Sequence, residues 1–119
     1  MSVQHPEPSE GALIPRPERT PDALRAACAV VAPNLLAAYD QAKDQSLAQA
    51  VEHGSLGPVH AYLAHWAAVL EIERHPETAR AYHRAEYLAQ VATTAEEARK
   101  HLTEAAALYR EASRAVHAE

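Results

Sequence analysis

The chain has no phenylalanine, one cysteine, one tryptophan and only three glycines in 119 residues. One cysteine excludes an internal disulfide framework. Cys28 sits in an Ala/Val run and reads as a small buried apolar residue. Few glycines, and none in a phosphate-cradling loop, leave no nucleotide-binding signature. No apolar run reaches 18 residues, and no cationic region followed by an apolar one opens the chain. A membrane span is therefore not expected, and the protein is expected to be cytoplasmic. No segment alternates apolar and polar residues with β-branched enrichment, so no strand is expected.

Catalytic signatures are missing too. There is no Gly-x-Ser-x-Gly, no His-Glu-x-x-His and no Glu-x-x-His anywhere. An apolar setting raises the pKa of Cys28 and makes it a poor nucleophile. Eight histidines and sixteen acidic residues invite a metal reading. The pairs at helical spacing are Glu97, His101 and Glu104, then Glu71 and His75, then His83 and Glu86. Such pairs are ordinary surface ion pairs of Glu-rich helices. The expectation is no enzyme, no cofactor and no metal.

What is present is alanine, glutamate, arginine and leucine, the composition of helices. With few aromatics the core is thin and the helices closely spaced. The net charge of −5 disfavours non-specific binding of nucleic acid, whose affinity comes from phosphate neutralisation. Arg99, Lys100, Arg110 and Arg114 are interleaved with Glu96, Glu97, Glu104 and Glu111, a mixed solvated face.

The sequence divides into three. Residues 1–19 hold Pro6, Pro8, Pro15 and Pro17 and read as a flexible tail. Residues 20–75 read as a helical core. Thr20-Pro21-Asp22 starts a first helix that Pro33 stops. Asn34 is a cap candidate for a second helix, with Leu35, Leu36, Tyr39, Ala42, Leu47, Ala50 and Val51 on its buried side and Gly54 at its end. A third carries Val59, Tyr62, Leu63, Trp66, Val69, Leu70 and Ile72, with Trp66 as core anchor. Residues 76–119 form a long amphipathic C-terminal helix or a helical hairpin. Thr94-Ala95-Glu96-Glu97 fits a capping box. Yet Ala81, Leu88 and Val91 continue the C-terminal repeat in register, with only Arg84 off pattern, and that favours one continuous helix.

The repeat itself runs through Ala95, Ala98, Leu102, Ala105, Tyr109, Ala112 and Val116 at spacings of three and four. That is a seam for lengthwise packing on another helix. Left in water it would be an exposed apolar patch, so either it folds back antiparallel on the second and third helices or another chain covers it. Tyr87, Leu102, Tyr109 and Val116 are therefore the expected partner interface, facing a protein partner, a basic one included, or a second copy. An alternative is a ligand or metal binder built on Trp66, Tyr62 and His65. A second alternative is a DNA-binding regulator. There the turn at Pro33-Asn34 suits a helix-turn-helix, but Asp40 and Asp44 stand where basic residues are wanted.

Three stretches carry a family resemblance. They are Arg19-Thr20-Pro21-Asp22-Ala23-Leu24-Arg25-Ala26-Ala27, then Tyr39-x-x-Ala42, then Leu56-Gly57-Pro58-Val59-His60-x-x-Leu63-x-x-Trp66. The run from about residue 19 to 75 resembles a family of short actinobacterial proteins whose domain has no assigned function. The resemblance implies an antitoxin-like or regulatory accessory protein with helices that wrap a partner, and it supplies no catalytic residues. The expected fold is all-α, a small helical bundle.

Overall fold

The structure, a computed structural model, describes residues 11–118. It is all-α, with no strand among the described residues. Thr20 adopts extended backbone and its Oγ1 accepts from the Ala23 N–H, so α1 (Pro21–Val31) starts where a capping hydroxyl and a proline coincide. Pro33 ends it. Asn34 does not cap the next helix; it lies inside a 3-10 turn, Pro33–Leu35, and α2 (Leu36–His53) follows without a side-chain cap. Gly54, at φ 63°, closes α2 in the left-handed conformation that glycine alone adopts without strain. α3 (Gly57–Glu73) stops before Pro76, with His75 pushed into extended geometry.

α3 is the hub. Trp66 is buried against Leu24, Ala27 and Cys28 of α1 and Tyr39 of α2, and Tyr39 meets the Trp66 ring edge-on at 5.2 Å. The Tyr39 hydroxyl donates to Pro21 O at 2.7 Å and takes a hydrogen bond from the Tyr62 hydroxyl, so both buried phenols are satisfied. On α2 the buried stripe runs through Tyr39, Ala42 and Ser46. Leu47 and Val51, expected inside, are exposed at 47% and 85%. They fall on the next stripe round, and Ser46 keeps its place by donating to Lys43 O at 2.8 Å.

The chain breaks after α4 (Pro76–Val91). Ala92 is extended, and Thr94 Oγ1 accepts from Glu97 N at 3.1 Å to start α5 (Ala95–His117). The continuous helix favoured by the repeat does not form. The capping threonine outweighs the in-phase pattern, and the result is a hairpin. Val116 of α5 lies in the same core as Leu24 and Trp66.

Half of the expected flexible tail, residues 1–10, lies outside the described residues. Residues 11–19 are not a free tail but a strap. Leu13 N donates to Arg74 O at 2.8 Å, Arg74 Nη1 donates to Ile14 O at 3.1 Å, and Ile14 packs on the core. Arg16 and Arg19 donate to Ala115 O and Val116 O, orphan carbonyls in the last turn of α5. Prolines forbid a helix here but not an extended segment whose polar groups find partners.

Glu71 ties the strap down. Its carboxylate takes Arg16 Nε and Nη2 at 2.9 and 3.1 Å, and Arg74 Nε and Nη2 at 2.8 and 3.3 Å. His75 Nε2 is 3.4 Å away. This is no surface pair: Glu71 and Arg74 are both buried. Despite the burial, the two guanidiniums hold the Glu71 carboxyl down at about 2.

Candidate functional site

α4 and α5 run antiparallel, with Thr78 near Leu108 and Ala112 at the base and Leu88 near His101 further out. One side of this hairpin is filled by α3: Ala68 and Ile72 pack against Ala79, Tyr82, Tyr109 and Ala112. His83 Nε2 and Glu73 Oε2 meet at 2.7 Å on that side, and His65 Nδ1 meets the Tyr109 hydroxyl at 2.8 Å.

The other side is open. Arg80, Arg84 and Leu88 recur every four residues, on a face of α4 turned away from Tyr82. With Ala81 and Ala85 as floor and His101 and Glu104 as the α5 wall, they line a groove of about 760 Å³. A separate, smaller hollow of about 270 Å³ lies at the base between α3, α4 and α5, lined by Glu71, Ile72 and Thr78 with Leu108 and Glu111. Neither Arg80 nor Arg84 pairs with a carboxylate among the described residues. His101 Nδ1 is buried and makes no hydrogen bond, although Glu104 Oε2 is 3.5 Å off. The radius of gyration, 16.0 Å, exceeds the ~13 Å of a compact domain of about 100 residues.

The expected interface residues separate. Tyr87 and Leu102 are exposed, at 60% and 57%. Tyr109 is half-buried on His65, and Val116 is in the core, so these two are corrected from partner contacts to fold contacts. Physically, α5 reaches back over α3 and spends its C-terminal half there. Leu102 does not line the groove either. Sequence reasoning missed Arg80, and it took Arg84 only as a flaw in the repeat; that flaw was the available signal. His101 and Glu104 were recognised as sharing a face.

The Trp66, Tyr62 and His65 alternative loses its cavity, since Trp66 and Tyr62 are packed under Tyr39. His65 stands at the edge of Trp66, and partial burial lowers its pKa. No group of three or more His, Cys, Asp or Glu side chains among the described residues could hold a metal ion. In the helix-turn-helix alternative, Asp40 on α2 is tied to Arg25 Nε at 2.9 Å. That pair removes a cation from any phosphate-facing surface. No described helix is long and apolar enough to cross a membrane.

A five-helix bundle with a strapped core and one open hairpin groove defines a small all-α domain. The chain belongs to DUF6247, a family of unknown function whose pattern matches residues 13–113. The match takes in the strap from Leu13 and most of the hairpin, well beyond the stretch from about 19 to 75 that carried the resemblance in the sequence. No curated protein and no solved structure matches the chain.

Proposed function

We propose that this protein is a non-enzymatic interaction module that engages a protein surface through the open side of the α4–α5 hairpin. The observation that carries the reading is the hairpin itself. α3 covers one side, and the other presents a groove with two arginines that pair with no carboxylate among the described residues and a buried histidine nitrogen that makes no hydrogen bond among them. A groove between two helices is the shape that a third helix fills. Exposed Tyr87 and Val91 add apolar area beside it. An antitoxin-like or regulatory accessory role in the cytoplasm is the finer form of this proposal.

The test is a photo-crosslinking residue in place of Leu88, with the full chain expressed in its native cell. A specific adduct to protein, another copy or a different chain, that is lost on adding Arg84→Glu supports the reading. Absence of any adduct, beside an active control crosslinker, overturns it.

A further inference from the structure

We propose that the occupant of the α4–α5 groove is a second copy of this chain, docked by the same face in a symmetric dimer; this rests on the reading of the hairpin as a docking surface and names its partner.

The argument is one of charge and symmetry. The α4 wall carries Arg80 and Arg84 and the α5 wall carries Glu104; Glu111, seven residues further along α5, falls on the same helix face towards the base. All four are exposed. Arg84 and Glu104 line one stretch of groove and so lie at the same height along the hairpin. A two-fold axis parallel to the helices lays α4 of one copy over α5 of the other at that height. Arg80 and Arg84 then meet the second copy's Glu104 and Glu111, and the same contacts recur on the symmetric side. An isologous interface needs this self-complementarity. A polyanion would meet Glu104 and Glu111, and a uniformly basic surface would meet Arg80 and Arg84; each is repelled by one wall. Between the charged walls Ala81 and Ala85 let backbones approach closely, Leu88 supplies an apolar ridge, and His101 Nδ1 gains the opportunity of a partner.

The size of the face sets the strength. α4 has 16 residues, so the hairpin face is about 24 Å long and about 20 Å wide. Its footprint of roughly 500 Å² per copy is below the ~800 Å² of a standard interface, which points to dissociation constants on the order of micromolar or weaker.

Sedimentation velocity on the full chain, from about 5 to about 500 µM, brackets that range. The expected result is a concentration-dependent monomer–dimer equilibrium. Arg80→Glu with Arg84→Glu weakens it at least about tenfold, as does Glu104→Arg with Glu111→Arg, because each places like charges across both halves of the interface. An equimolar mixture of the two variants restores dimer, since each α4 then faces an α5 of opposite charge. Circular dichroism and thermal melts establish that both variants remain folded. The inference is overturned by a wild-type chain that stays monomeric, by a dimer indifferent to either variant, or by folded variants that do not recombine. A monomeric chain whose Leu88 position still crosslinks to a different protein sinks the dimer and leaves the interaction reading standing. A monomeric chain without any adduct sinks both.

Discussion

The two halves of α5 carry one unbroken repeat and end in different surroundings. Ala105, Ala112 and Val116 are buried at 6%, 6% and 5%, whereas Leu102 on the same repeat is 57% exposed. Nothing in the spacing separates them. The difference lies in what arrives from elsewhere in the chain. α3 crosses the C-terminal half with Ala68 and Ile72, and the strap caps its last carbonyls through Arg16 and Arg19. The outer half has only α4 beside it. A three-four repeat therefore specifies which stripe of a helix is suited to burial, and tertiary contacts decide how far along that stripe burial extends.

Charge placed on the buried half should break the fold. Ala112→Glu would bring a longer, charged side chain among Ala68, Ile72 and Tyr82, close to the Glu71 carboxylate. Overpacking and an unpaired buried charge act together, so the expected loss is about 3–5 kcal/mol in urea unfolding. A loss below about 1 kcal/mol would show that α5 is not seated on α3.

The next effect concerns the device that separates the two halves, the strap and its clamp. Glu71→Ala would leave Arg74, 3% exposed, without its counter-ion. The expected cost is about 3 kcal/mol, with Arg16 and the strap released. The pH dependence follows from the direction of the shift. The folded carboxyl titrates at about 2, below its ordinary 4.5. Its contribution is therefore complete above pH 4.5 and is lost as pH falls towards 2. Glu71→Gln should flatten the stability-versus-pH curve in that window, and an unchanged acid limb would remove Glu71 from this role.

Much of the fold was legible because its signals are local. Thr20-Pro21, Gly54 and His75-Pro76 each act within one turn, and each marks a boundary, whereas the cap at Thr94 was visible but set aside for the in-phase repeat. Trp66 as anchor followed from the richest apolar face. What escaped depends on distant pairings. Arg16 meets Glu71 across 55 residues and Ala115 across 99, so proline density was visible and the distant groups that hold the strap were not. The exposure of Leu47 and Val51 has the same origin, since the register of α2 against α3 decides which neighbouring stripe is inside. The groove was half legible. His101 and Glu104 were placed on one face, but the opposing wall of Arg80 and Arg84 emerges only once Thr94 has folded α5 back along α4.

The smallest effect is the sharpest test of the comparison. Leu102→Glu makes the same kind of change as Ala112→Glu, on the same repeat, ten residues earlier. Leu102 belongs to neither packed core nor groove. Glutamate is as good a helix former there as leucine, and solvent accommodates its charge. The expected shift in stability is within about 0.5 kcal/mol, as for surface positions in general. Self-association through the groove should also be unaltered, because Leu102 is not part of that face. A loss of several kcal/mol would mean that α3 or the strap reaches further along α5. A loss of association at constant stability would move the docking surface to the side of the hairpin that carries Leu102. Leu102 exposed and inert beside Ala112 buried and essential would establish that the repeat acts only where α3 covers it.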